Sequence, residues 1–183
     1  MIWWTSYVRV WQIRNVLLEE ISQSYDRKDK DSFRKQTQQF LGLILSQDSL
    51  LSTRKEFSVS SWLSAARSLG TTEEEKKLYE WNASALITVW GDSIAANQGG
   101  LHDYSHREWS GLLKDLYYQR WNTFFEQKQQ ELDGKLDKST AEPIHFYGME
   151  KAWAEKSKTV DVSGKNGPSV IETAKTVYRS AVE

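Results

Sequence analysis

The chain has 183 residues, with 24 Lys and Arg against 25 Asp and Glu and a net charge of −1, which supplies no electrostatic attraction for nucleic acid or an anionic membrane. It contains no cysteine, so disulfides and thiolate chemistry are excluded, and no apolar run reaches the length of a bilayer span. Nine Trp, eight Tyr and six Phe are the unusual part of the composition; rings fill cores, and they also stack on sugars and partner surfaces.

With only two Pro and ten Gly, long uninterrupted helices are feasible. From Trp4 onward, Tyr7, Val8, Trp11, Leu18, Ile21 and Tyr25 recur at helical spacing and predict a first helix. The charged turn DRKDKD (26–31) separates it from a second, whose apolar stripe is Phe33, Phe40, Leu41, Ile44 and Leu51. SVSSWLSAARSLG (58–70) reads as a short third helix with Gly70 as its C′ residue. The stretch from Thr71 to Gly91 predicts a fourth: Thr72 and Glu75 have capping-box spacing, and Leu78, Trp81, Ala85 and Val89 form the expected buried face. Asn82-Ala-Ser84 matches a glycosylation acceptor but falls in mid-helix.

GDSIAANQGG (91–100) has no periodicity, and its closing glycines can take positive φ. The fifth helix is the clearest, with Trp109, Leu112, Leu113, Leu116, Tyr117, Arg120, Trp121 and Phe124 at intervals of three and four, ending near Gly134. Pro143 suits the first turn of a sixth helix, with His145, Met149 and Trp153 in or near it. A turn-rich link leads to a last helix with Val170, Ala174, Val177 and Tyr178 facing inward. No alternating strand run and no repeat of 20 to 50 residues is present. The expected fold is one all-α domain over residues 1–183, an irregular antiparallel bundle of six to seven helices.

The polar chemistry concentrates in GGLHDYSHREWSGLL (99–113). His102 and His106 are four apart, which is metal-ligand spacing, but the HExxH order is absent and a third ligand would have to come from Asp103, Glu108 or elsewhere. Ser105 and Glu108 have capping-box spacing, with Asp103 as the alternative N-cap. A glycosidase pair fails here: Asp103 and Glu108 are five apart, roughly 500° around a helix, and do not converge. Glu73, Glu74 and Glu75 are a solvated helix start, and no strand-to-helix serine elbow is visible. The residue types leave a Ser–His–Asp arrangement open, but by its residues alone the chain does not read as an enzyme.

SWLSAAR (61–67), YEWNASALITVWG (79–91), LHDYSHREWSGLLKDLYYQRWNTFF (101–125) and SVIETAKTVYRS (169–180) fall in the order of the C-terminal helical region of α-N-acetylglucosaminidases, glycoside hydrolase family 89. The chain resembles that region from its first helix to its last, most strongly over 61–125, where several rare aromatics keep their mutual spacing. The resemblance implies a C-terminal domain fragment of a larger glycosidase, whose two catalytic glutamates sit on a (β/α)₈ barrel absent here. The whole protein would remove terminal α-linked N-acetylglucosamine from glycans by a retaining mechanism, without metal or organic cofactor. The fragment alone would be inactive. Its partners would be that barrel and the terminal sugar, and its setting exported, periplasmic, cell-surface or lysosomal.

In the family this domain forms one side of the sugar pocket, and the matching substrate-binding positions are Trp90, Leu101 and Tyr104. Asp103 would act as a helix cap that aims Tyr104, and Arg120, on the inward run, would be paired with Asp103, Glu108 or backbone carbonyls. The sequence departs from many relatives at Asp92, which follows the tryptophan–glycine pair where they carry proline, and at Ser105 and His106, where they carry Ala-Asn. The opening MIWWTSYVRVW lacks the pattern of a secretion signal, as expected of a mature domain or fragment. Two alternatives belong to other classes: a non-catalytic carbohydrate-binding or docking module, and a metal-dependent hydrolase using His102 and His106.

Overall fold

Seven α-helices make up most of the computed structural model, which describes residues 2–90, 107–156 and 169–180. They are α1 (Ile2–Asp26), α2 (Lys30–Ser52), α3 (Val59–Arg67), α4 (Glu73–Leu86), α5 (Tyr118–Leu132), α6 (Tyr147–Glu155) and α7 (Val170–Ser180), with a 3₁₀ turn at Lys55–Phe57 and a π-helical turn at Leu113–Tyr117. Among the described residues the only β-type pairing is an isolated parallel bridge between Ser58 and Ser110. The expected irregular all-α bundle is what forms. No helix among the described residues is long and apolar enough to cross a membrane.

The second helix is the hub because it is apolar over most of its circumference. Phe33, Phe40, Leu41, Ile44 and Leu51 are all buried, as their spacing predicts, and Leu43 and Leu50 join them. It packs against α1, α5, α7 and the π turn, while α3, α4 and α6 form a second group alongside. Asp29 starts α2 by accepting from the Ser32 N–H at 3.1 Å, one of the otherwise orphaned first-turn donors.

Helix starts and stops follow local chemistry in some places and not in others. At α4 the capping box forms as expected: Thr72 Oγ1 accepts from Glu75 N–H, and Glu75 Oε2 from Thr72 N–H, both at 3.2 Å. At the end of α5, Gly134 adopts φ +72°, and the N–H groups of Gly134 and Lys135 reach the carbonyls of Glu131 and Gln130 at 3.1 and 2.9 Å, a Schellman closure. An added Cβ at Gly134 would meet nothing within 4 Å. Gly134→Ala is therefore expected to lose only the backbone preference, about 1 kcal/mol, measurable as a melting-temperature drop of roughly 2–4 °C. A drop three times larger would reveal a clash that the open surroundings do not contain.

Several boundaries and faces differ from the sequence pattern. Gly70 is not a left-handed C′ residue; α3 ends at Arg67 with Ser68 as its cap, and Gly70 lies buried where the backbone of Lys76 passes within 2.6 Å of a would-be Cβ. The fourth helix stops at Leu86, because the β-branched run Ile87, Thr88 and Val89 propagates a helix poorly and buries itself in a turn instead. Its buried face runs through Glu80, Ala83, Ser84 and Ala85; Leu78 and Trp81 are 52% and 45% exposed. The Asn82-Ala-Ser84 triplet lies within α4, with Asn82 exposed and Ser84 buried. On α1 the core contributors are Val10, Leu17 and Ile21, with Tyr7, Leu18 and Tyr25 half-buried and Trp11 exposed. The sixth helix starts at Tyr147 rather than at Pro143. On α7, Ala174 and Val177 face inward, but Tyr178 is exposed.

Candidate functional site

The largest departure from the sequence pattern shapes the site. Residues 107–110 are not the first turn of the fifth helix. Ser110 runs beside Ser58, its N–H donating to Phe57 O at 2.7 Å and its carbonyl accepting from Val59 N–H at 3.0 Å. Gly111 then turns at φ +87°, with Val59 Cγ1 only 2.7 Å from where a Cβ would sit, so a side chain is excluded both by backbone conformation and by space. The helix proper follows through the π turn, whose extra residue per turn lets Leu112, Leu113, Leu116 and Tyr117 all bury themselves.

The start of this helix is closed from another part of the chain. Asp48, on α2, accepts from Gly111 N–H at 2.7 Å, Lys114 N–H at 3.1 Å and Ser110 Oγ–H at 3.2 Å. That carboxylate does the work of an N-cap from across the core. Burial pushes the Asp48 carboxyl above its ordinary range, and the three hydrogen bonds offset this only in part.

Glu108 is consequently released from the capping box proposed for it with Ser105. Its carboxylate meets three donors from two helices: Tyr7 Oη–H at 2.7 Å and Arg14 Nη1–H at 3.1 Å from α1, and Gln47 Nε2–H at 2.6 Å from α2. Arg14 also donates to Gln47 Oε1, closing the network. Its guanidinium lies 5.5 Å above the Phe40 ring, and its Nε is buried without an acceptor. Burial, and then the Glu108 acceptor, raise the Tyr7 phenol well above its usual range, so it remains a donor at any working pH. With its oxygens so engaged, Glu108 is a fastener and not a reacting acid or base.

Around this network opens a groove of about 900 Å³, walled by Trp3, Trp4, Tyr7 and Trp11 of α1 on one side and by Trp109, Trp121 and Phe124 on the other. The rings are organised: Trp3 is parallel to Tyr7 with centroids 5.9 Å apart, and Trp4 is 62% exposed at the rim. Trp109 leans on Trp62 at 5.8 Å, and Trp62 Nε1–H donates to Ala83 O at 3.1 Å, which ties the groove to α3 and α4.

Of the residues expected at the site, Trp90 lies at the far end of the α4 turn. It is 38% exposed, and its backbone adopts φ +42° with its N–H bonded to Ala85 O at 2.8 Å. A non-glycine residue in the left-handed region costs about 1–2 kcal/mol and persists only where the surroundings enforce it. Leu101, Asp103, Tyr104, His102, Ser105 and His106 lie outside the described residues. Arg120 pairs with Glu150, Nη1 to Oε1 at 3.1 Å, and overlies the rings of Tyr117 and Phe146 at 5.5 and 5.2 Å. This partner is a deeply buried glutamate on α6, too far along the chain for spacing to reveal, and not Glu108; Asp103, the other carboxylate expected to pair with Arg120, lies outside the described residues. Among the described residues no three His, Asp or Glu side chains gather in a way that could hold a metal ion.

Sequence reading missed Tyr7, Arg14 and Gln47 as a unit. One signal was available: Gln47 stands between Ile44 and Leu51 on the apolar stripe of α2, and a polar side chain on such a stripe requires a buried partner.

The family model described as the α-N-acetylglucosaminidase C-terminal domain matches residues 10–180. An α-N-acetylglucosaminidase of Homo sapiens is 32% identical over 84 residues, 46% of this chain and 11% of the human protein. A family 89 glycoside hydrolase from Clostridium perfringens, solved with 2-acetamido-1,2-dideoxynojirimycin, superposes with a TM-score of 0.81 at 34% identity, over 96% of this chain and 20% of the other. A double Glu-to-Gln variant of the Clostridium perfringens enzyme, solved with its substrate GlcNAc-α-1,4-galactose, gives 0.80 at 34% identity, over 95% and 20%. The chain spans about a tenth of the human relative and a fifth of the solved ones.

Proposed function

The chain belongs to the family of α-N-acetylglucosaminidase C-terminal domains, and from that premise we propose that it forms one wall of the sugar pocket in an exo-acting, retaining α-N-acetylglucosaminidase. The catalytic glutamates belong to a (β/α)₈ barrel in the remainder of the polypeptide, and the domain alone has no turnover. Trp90 is the observation that carries the reading. It is 38% exposed, just past the turn that follows α4, on a backbone conformation that is unfavourable without external reason. A terminal N-acetylglucosamine needs an apolar or aromatic wall and a few oriented polar groups, and Trp90, Leu101 and Tyr104 supply the wall. Arg120 supports from behind, holding α5 to α6 through Glu150. The setting is exported or lysosomal, no cofactor is needed, and the substrate is a glycan ending in α-linked N-acetylglucosamine.

The test is kinetic, on the full-length parent enzyme. Trp90→Ala and Tyr104→Phe are each expected to lower kcat/KM on an aryl α-N-acetylglucosaminide by about tenfold or more, about 1.4 kcal/mol of transition-state stabilisation, with melting temperature preserved. Wild-type turnover in both variants would remove these positions from the site. The ring-walled groove favours a second reading, a carbohydrate-binding module without catalysis. A parent sequence lacking the barrel's paired glutamates would select it.

A further inference from the structure

We propose that Thr88, with Trp62 behind it, positions Trp90 in the sugar-pocket wall; this rests on the pocket-wall reading above. An α-helix leaves the carbonyls of its last turn without partners of its own, and α4, which ends at Leu86, has three of them claimed from outside the helix. Ala83 O accepts from Trp62 Nε1–H at 3.1 Å, and Ser84 O from Thr88 Oγ1–H at 2.8 Å. Ala85 O accepts from two backbone donors, Thr88 N–H at 3.1 Å and Trp90 N–H at 2.8 Å. Thr88 therefore grips the end of α4 twice, once through its backbone and once through its hydroxyl.

Both grips bear on Trp90. The residue that fixes the turn and the residue it delivers hang from the same carbonyl, that of Ala85. Trp90 stands at φ +42°, where a non-glycine residue stays only if its surroundings hold it. Those surroundings include the turn itself, since Ile87, Thr88 and Val89 are all buried and their β-branched side chains have little freedom at χ1. The hydroxyl adds direction to this packing. Buried methyl groups tolerate a small rotation, whereas the Thr88 hydroxyl cannot turn away without leaving Ser84 O unpaired in the interior. A site group displaced by about 1 Å through its supporting residues binds its ligand less well although its own side chain is intact.

The experiment uses the full-length parent enzyme, with 4-nitrophenyl N-acetyl-α-D-glucosaminide as substrate and 2-acetamido-1,2-dideoxynojirimycin as inhibitor. Thr88→Val keeps the side-chain shape and removes the hydroxyl, and is expected to raise both KM and the inhibition constant about fivefold. Thr88→Ser keeps the hydroxyl and loses a methyl group, and is expected to lower the melting temperature while leaving both constants within about twofold of wild type. Trp62→Phe, which removes the donor to Ala83 O, is expected to shift both constants about threefold and serves if Thr88→Val does not fold. A merely structural role predicts another pattern. Fewer folded molecules lower the apparent kcat and leave KM and the inhibition constant alone, as buried Val177→Ala on α7, which packs against α1 and α2, should show. Because Thr88 acts through Trp90, adding Thr88→Val to Trp90→Ala should change neither constant by more than about a further twofold.

Unchanged constants in Thr88→Val, or in Trp62→Phe where it stands in, overturn the positioning role, and so does full additivity with Trp90→Ala. If Trp90→Ala weakens the inhibitor while Thr88→Val does not, only the positioning role has failed. If Trp90→Ala itself binds the inhibitor and turns over like wild type, the pocket-wall reading at Trp90 has failed and the proposal falls with it.

Discussion

Replacing Phe40 by alanine is expected to lower the stability of the chain by about 4 kcal/mol, since buried Phe-to-Ala changes cost about 3–5 kcal/mol in transfer and cavity energy. For a chain of this length that corresponds to a melting-temperature drop of roughly 8–16 °C. Phe40 is fully buried at the middle of α2. It meets Trp121 and Phe125 edge-on at 5.0 and 5.5 Å, and Arg14 covers its remaining face. Such edge-to-face pairs add about 0.5–1.5 kcal/mol each beyond area burial, and a cluster of large rings cannot collapse into the void that truncation leaves. Because Arg14 rests on the ring, the cavity also reaches the Glu108 network, so Phe40→Ala and Glu108→Ala should not combine additively. Urea unfolding monitored by tryptophan fluorescence measures the loss; a value under about 1.5 kcal/mol would mean that α2 is not the hub of the bundle.

The second large effect is at Asp48. Asp48→Ala should cost about 3 kcal/mol, because it leaves the N–H groups of Gly111 and Lys114 and the Ser110 hydroxyl without their acceptor, and each buried orphan carries about 1–3 kcal/mol of desolvation. Asn at the same position retains one acceptor oxygen and should lose about half as much. The pH dependence has a definite sign. Burial raises the folded-state pKa of Asp48, so the folded chain keeps this proton to higher pH than the unfolded chain does. Linkage then makes this group's contribution favourable below the unfolded carboxylate value and lost as pH rises through the raised folded value. Subtracting the stability curve of Asp48→Asn from that of the wild type, measured from pH 3 to 7, should isolate a difference that declines with rising pH across that window. A difference that grows with pH would show that the three hydrogen bonds outweigh burial.

Both predictions concern residues that sequence periodicity treated unequally. Phe40 lies on the α2 stripe in plain view, since a helix buried along most of its surface shows its pattern whichever neighbours it has. Asp48 sits one place beside that stripe and reads as an ordinary solvent-facing acid until Gly111 and Lys114 are brought to it. The fourth helix failed in the same way for a different reason. Leu78 and Trp81 are as apolar as any core residue, yet α4 is covered by α3 and α6 on another face, so composition named a stripe that packing did not use. Trp90 was reached through resemblance, and spacing alone could not have distinguished it from the other eight tryptophans.

Helix count, the dominant stripe of α2, the capping box at Thr72 and the glycine stop at Gly134 were determined by the amino-acid sequence alone, because each depends on groups within a few positions of one another. The family, too, was legible there, in rare aromatics kept at fixed intervals. Where the chain enters its fifth helix, which carboxylate closes that entry and what Glu108 holds were decided only by tertiary structure. Tyr7, Arg14, Gln47 and Asp48 are 61 to 101 positions from the residues they grip, and periodicity carries no information over such distances. A buried hydrogen bond is specified by where two elements meet, and that meeting is settled by the packing of the whole bundle.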